Sequence, residues 1–292
     1  MPCSPSRAGS WRAGTWEILL VVQLAWGCGD TRSVTSATPT PTPRPAPSPY
    51  VEPPVGFVIV AGMNVVRVGD TMPFTATVYP GFRPLPPPFV PDPPFDVTRK
   101  AEWVSSDPGV ATVSSSGLVT IVGPGTAEIS ASYKGGSYAL PLVAVERASS
   151  DSQSRYVGTW SGVAMTTCTI LFGAGTNKSL CFSLSGQPPV IPQPAQLTLV
   201  LADDRLTGTL TLYETPTTGP VQAALLDTGE LAVGGSIRSG EGREIIPLRD
   251  WRLTLTRRGQ LAGACFQDRA FVNVYGSYLY REQYQIDGLA PQ

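Results

Sequence analysis

Residues 103–133 read "WVSSDPGVATVSSSGLVTIVGPGTAEISASY". Asp107 and Glu128 are the only charges in the stretch; serine, glycine and small apolar residues make up most of the rest. Three turn clusters punctuate it: "SSDPG" before Val110, Ser114 to Gly117, and Gly123-Pro124-Gly125. From Ala127 onward the alternation is clean. Ala127, Ile129, Ala131 and Tyr133 face one way, and Glu128, Ser130, Ser132 and Lys134 the other, which is the period of a half-buried strand. Upstream, "FVIVAG" (57–62) and "VVRVGDTMPFTATVYP" (65–80) are extended runs, with Gly69-Asp70 as a turn within the second. Strands this short and evenly punctuated, with no helical period, predict a β-sandwich over residues 55–146.

Trp103, Ser105, Ser106, Asp107, Pro108, Val110, Ala111 and Val113 form a "W-x-S-S-D-P-x-V-A-x-V" block. Gly117, Val119 and Thr120 follow as "G-x-V-T", and Gly123, Gly125, Ala127 and Ile129 as "G-x-G-x-A-x-I". With the Gly-Asp turn before them, these residues resemble the bacterial Ig-like domain of group 2. The resemblance implies an immunoglobulin-like sandwich in a bacterial surface or secreted protein, a module found in adhesins and carbohydrate-active enzymes and often used as a spacer. Trp103 is expected in the core, and Asp70 and Asp107 are expected as turn formers. One departure is an insertion, "PGFRPLPPPFVPDPPFDVTRK" (80–100), where Phe82, Phe89 and Phe95 lie in or beside a proline run. The rings are expected to fold back over the sandwich edge rather than form an interaction loop.

The N-terminus has Arg7 and Arg12 ahead of "ILLVVQLAW" (18–26), an apolar run too short to cross a bilayer as a helix. The run ends "LAWGC", in which Gly27 and Cys28 resemble the lipobox of bacterial lipoproteins. Residues 1–28 therefore read as a signal peptide, with lipidation at Cys28 favoured over plain cleavage; either route exports the chain. Residues 29–54 are Pro/Thr-rich, with proline at every second position from Pro39 to Pro49. Such a tract favours extended polyproline II and predicts a disordered, stalk-like linker reaching roughly 75 Å if fully extended.

Residues 147–154 read as a second linker, after which the pattern changes. "LTLVLADDRLTGTLTL", "VQAALLDTGELAVGGSI" and "WRLTLTRRGQLAGACF" each place a polar turn between two extended runs, with Leu206, Leu231 or Leu261 just after the turn. They read as β-hairpins, and repeated hairpins without crossover helices predict an antiparallel meander closed as a barrel of about eight strands over 155–292. "GTW" (158–160) is similar to the opening motif of avidins and lipocalins, whose tryptophan plugs one end of a barrel. The fold class is thus all-β: an Ig-like sandwich followed by a meander barrel. Trp160, Trp251, Tyr278, Tyr280 and Tyr284 are candidate ligand-contacting residues in the barrel, with core or rim packing as the alternative. Export permits a disulfide, expected between Cys168 and Cys181 around a glycine-containing loop, with Cys265 left as a buried thiol.

The chain of 292 residues contains no histidine and carries a formal net charge of −1. Without histidine, Ser-His and Cys-His nucleophiles, imidazole zinc sites and the commonest neutral-pH base are all excluded. No basic run suggests nucleic-acid binding, and no cofactor or metal ligand set stands out. "GAGTNKS" (173–179) lacks the glycine before lysine that a phosphate loop requires. Asp203, Asp204, Asp227, Glu230, Glu241 and Glu244 lie in or near expected turns, where carboxylates are solvated. The expectation is a non-enzymatic, exported protein anchored at the cell surface or outer membrane through its N-terminal lipid, or else secreted. In it an Ig-like spacer presents a barrel for adhesion or binding of a glycan, protein or small molecule. A small-molecule carrier of calycin type and a histidine-free carboxylate hydrolase are the alternatives.

Overall fold

The computed structural model describes residues 55–81, 92–146, 150–172, 191–212, 217–238, 244–273 and 276–292. The leader, the proline-rich linker, Phe82, Phe89 and Cys181 lie outside them.

The first lobe contains β1 (Val55–Ala61), β2 (Val65–Arg67), β3 (Thr71–Pro73), β4 (Thr75–Pro80), β5 (Phe95–Asp96), β6 (Glu102–Ser105), β7 (Ala111–Val113), β8 (Leu118–Ile121), β9 (Gly125–Tyr133) and β10 (Gly136–Val145). These form sheets of order β1-β4-β5, β2-β10-β9-β6 and β3-β8-β7. The alternation at the end of the opening stretch is realised in β9, where Ala127, Ile129 and Ala131 are buried and Glu128 is exposed. Turn chemistry follows the sequence as well. Asp107 Oδ1 accepts the Gly109 N–H at 2.9 Å, and Asp70 Oδ2 accepts the Arg67 N–H at 3.0 Å. Trp103 packs against the core and donates its indole N–H to the Thr98 carbonyl at 2.8 Å. Gly117 has φ +78°, and a Cβ there would lie 2.6 Å from the Phe74 carbonyl oxygen, so backbone conformation and close approach both select glycine. Phe95, on β5, packs against this core as expected.

The second lobe is a closed barrel of β11 (Gly158–Phe172), β12 (Ile191–Ala202), β13 (Arg205–Leu212), β14 (Thr217–Leu225), β15 (Leu231–Arg238), β16 (Ile245–Leu255), β17 (Leu261–Asn273) and β18 (Gly276–Pro291) in simple meander order. The three expected hairpins are present as β12–β13, β14–β15 and β16–β17, paired at Leu201–Leu206, Leu225–Leu231 and Leu255–Leu261. Leu206, Leu231 and Leu261 are each completely buried. Asp203 and Asp204 both have positive φ, the conformation that a two-residue hairpin turn demands.

Residues 147–154 were expected to be linker. Part of that segment is α1 (Ser150–Ser154), whose Gln153 is buried and donates to the Asp204 carbonyl at 3.1 Å. The described residues all belong to one compact unit. The sandwich lies against the outer faces of β14 to β18. Ala270 and Leu279 of the barrel join the sandwich core, and Val65 clusters with Ala224 and Ala232.

Candidate functional site: the polar end of the barrel interior

Cross-strand pairing stacks the interior of the barrel in rungs. One rung joins Thr166, Tyr284, Cys265 and Trp251; the next joins Cys168, Glu282, Gln267 and Leu248; a third brings together Ile170, Tyr280 and Arg269. Below the first rung the interior is leucine-rich. Leu197, Leu199, Leu206, Leu210, Leu253 and Ile286 are all fully buried, so side chains fill that half of the barrel. At its far end Trp160 is buried and donates its indole N–H to the Tyr156 carbonyl at 2.9 Å.

Toward the opposite end the interior turns polar. Glu282 is nearly buried, and its Oε2 accepts from Gln267 Nε2 at 2.7 Å and from the Tyr284 hydroxyl at 3.0 Å. Its Oε1 lies 3.9 Å from Arg269, whose guanidinium also holds Glu244 at 2.7 Å. Glu244 was expected as a solvated turn carboxylate. It is instead one end of a Glu–Arg–Glu chain, because β16 brings it alongside β17. Burial pushes the Tyr280 phenol well above its ordinary range, and neighbouring Glu282 adds to the shift. Among the described residues, the Trp251 indole N–H and the Thr166 hydroxyl are buried without a hydrogen-bond partner.

The structure brings some of the candidate residues together and separates others. Trp251 and Tyr284 are neighbours, with ring centroids 5.7 Å apart. Tyr280 lies two rungs further along β18, beside Arg269, and Tyr278 is buried near the start of that strand. Trp160 sits at the leucine-filled end and belongs to a different part of the interior. Cys265 is a free thiol at the centre, and burial pushes its pKa far up, so it stays protonated. Cys168 is on β11 opposite Glu282; Cys28 and Cys181 lie outside the described residues.

Sequence reasoning missed Gln267, Arg269 and Glu282, although their signal was present. Gln267 and Arg269 share the parity of Leu261 and Cys265, and Glu282 that of Tyr284 and Ile286. A polar residue in a core-facing register is the observation worth following. Chemically, the arrangement is a set of fixed acceptors and donors. Glu282 accepts two hydrogen bonds and faces a guanidinium, so its side chain is held in place.

Residues 90–144 match the family model of the bacterial Ig-like domain (group 2). No curated protein matches the chain.

Proposed function

We propose that the protein is a non-enzymatic binding protein of the bacterial exterior, whose head, residues 55–292, makes contact through the barrel lobe. An Ig-like domain joined to a β-barrel fits a surface or binding protein, and Ig-like domains of this group occur in bacterial surface proteins. The observation that carries the reading is the division of the barrel interior. One half is filled by leucines, which favours contact at the polar end or on the outer surface over a deep carrier cavity. The polar end displays Glu244 and Arg269, both partly exposed, with Tyr280 beside them.

Hydrolysis by a carboxylate pair is the less favoured reading. A hydrolytic carboxyl pair must face substrate across a cleft, whereas Glu244 and Glu282 are both engaged by one guanidinium and Glu282 also accepts from Gln267 and Tyr284. A screen of glycans and metabolites against residues 55–292, repeated with Arg269→Ala, tests the binding reading. A ligand whose affinity drops at least tenfold in the variant supports the polar end; turnover of any screened compound would overturn the non-enzymatic reading.

The anchor and the disulfide belong to the same proposal. "LAWGC" supports lipidation at Cys28, and Cys28→Ala should abolish detergent partitioning. The burial of Cys265 as a free thiol supports Cys168 and Cys181 as the bonded pair. Non-reducing peptide mapping of exported protein should recover them linked.

A further inference from the structure

Group 2 Ig-like domains are often spacers, yet this one is fastened to its neighbour by a buried polar contact. Asn64, in the bend between β1 and β2, is 2% exposed. Its side chain is shared between the lobes. Nδ2 donates to the Pro141 carbonyl of the sandwich at 2.8 Å and to the Leu248 carbonyl of the barrel at 2.8 Å, while Oδ1 accepts the Gly235 N–H of the barrel at 2.8 Å. Both amide hydrogens and the carbonyl are used, so the side chain is satisfied only when the lobes are together.

The barrel is shaped to receive it. The β15–β16 register shifts between Val233 and Ser236, so Gly234-Gly235 forms a bulge in the wall. A Cβ on Gly234 would stand 2.6 Å from Asn64 Oδ1 and 2.6 Å from the Val65 backbone nitrogen. Gly235 has φ +142°, a backbone that side chains rarely adopt. Two further groups of contacts flank this point. Buried Asp268 accepts from the Tyr138 hydroxyl at 2.8 Å and from Arg281 at 2.8 Å, and Arg249 donates to the Ala139 carbonyl at 2.6 Å. At the start of β13, Arg205 grips Asp70 with two hydrogen bonds.

We infer that the outer face of β14–β18 is a dedicated docking surface for the Ig-like lobe, keyed by Asn64 in the Gly234-Gly235 bulge. The Ig-like lobe is then a constituent of the head rather than a spacer ahead of it. Asn64 and the Tyr138–Asp268 pair both bond across the seam, and a glycine pair opens the wall of β15 at the point of entry. The inference is independent of what the head binds or where it is anchored.

The test is to place a protease recognition sequence between Glu146 and Ser150 in the full chain, cut the folded protein, and follow the two fragments by size exclusion. The fragments should co-elute at about 1 μM, the regime of a specific interface. Asn64→Ala and Gly234→Ala should each weaken the association at least tenfold, and Asp250→Asn, whose side chain stays 51% exposed with the lobes together and so lies outside the seam, should leave it unchanged. Separation of the wild-type fragments at that concentration, or cut Asn64→Ala and Gly234→Ala proteins that associate like wild type, would overturn the inference. Hydrogen exchange on uncut Asn64→Ala gives a second measurement. Faster exchange should appear in β10, β15 and β16 together; acceleration confined to residues 62–65 would refute a lock between lobes.

Discussion

The two lobes use the same alternating strand pattern for different interiors. Among the described residues of the sandwich, Asn64 is the one buried polar residue outside the aromatics, and it serves the seam. In and on the barrel lie Thr166, Thr217, Gln267, Asp268, Ser277 and Glu282. Burying a polar group costs free energy unless each is hydrogen-bonded, so a core that needs only stability avoids them. The sandwich core, built around Phe57, Ile59, Phe74, Ile129, Leu140 and Leu142, is of that kind. The barrel retains a guanidinium, two carboxylates, an amide and two phenols at one end of its interior. On the binding reading proposed above, packing and docking fall to the Ig-like lobe and recognition to the barrel.

The largest effect should come from what the lobes share. Ile129 in the sandwich and Leu210 in the barrel are both fully buried. Truncating either to alanine should cost about 2–5 kcal/mol through lost transfer energy and the cavity left behind. Because the lobes share a seam, urea unfolding of either variant should remain one transition by circular dichroism and tryptophan fluorescence alike. If Ile129→Ala produced an early sandwich transition with the barrel signal unmoved, the lobes would be independent and the comparison would apply to two separate proteins.

Glu282→Ala should come next, at about 1–3 kcal/mol, because it removes a buried acceptor of the Gln267 amide and the Tyr284 hydroxyl and one of the carboxylates facing Arg269. Glu282→Gln keeps the shape and an acceptor and should lose less. Denaturant midpoints at constant slope measure both. Equal stability of Glu282→Ala and wild type would mean that the polar rung contributes nothing to folding.

Between the lobes, Asp70 offers a pH-dependent contact. Burial alone would raise its pKa, but the Arg205 hydrogen bonds, the Arg67 N–H and the two nearby guanidinium charges outweigh it and hold the carboxyl below its ordinary value. A depressed folded value means that the contact's stabilisation is complete above the unfolded pKa of about 3.9 and is lost as pH falls through the folded value. Asp70→Asn should therefore lower stability by about 1 kcal/mol near neutral pH, and the difference from wild type should shrink below about pH 4. A difference constant from pH 7 to pH 2 would remove the Asp70 carboxylate from the account.

How much of this was legible depended on the range of the signal. Turns written in adjacent residues were read correctly: Asp107 with Gly109, Asp203-Asp204, and the leucines that follow each hairpin turn. Parity along a strand placed Ala127, Ile129 and Cys265 inside. Applied to every residue, it also places Gln267, Arg269 and Glu282 there, although a polar residue in a strand reads by habit as surface. The seam was not legible in the same way. Asn64 meets Gly235 across 171 positions, and nothing near Asn64 announces a partner. The glycine pair was read only as part of a strand, and even a bulge states that something approaches closely without saying what. Asp70 was correctly read as a turn former, while Arg205, 135 positions away, was invisible to any local pattern.

The smallest effect is expected from a pair that matches the barrel's interior chemistry in every respect but location. Arg252 Nε lies 2.6 Å from Asp250 Oδ1, closer than any distance between Arg269 and its two glutamates. Yet the Asp250 side chain is 51% exposed and that of Arg252 26%, on the solvent side of the wall. Water screens the attraction there, and holding two mobile side chains in one geometry costs entropy that offsets much of the gain. Exposed pairs of this kind contribute about 0–1 kcal/mol. Asp250→Asn should accordingly shift stability by no more than about 0.5 kcal/mol, and half-molar salt should change wild type and variant alike. Glu282→Ala should keep its full effect in the same salt, because its partners lie inside the barrel. If Asp250→Asn proved as costly as Glu282→Ala, burial would not be what separates the two carboxylates, and the polar end of the interior would lose its claim to be more than another ion pair.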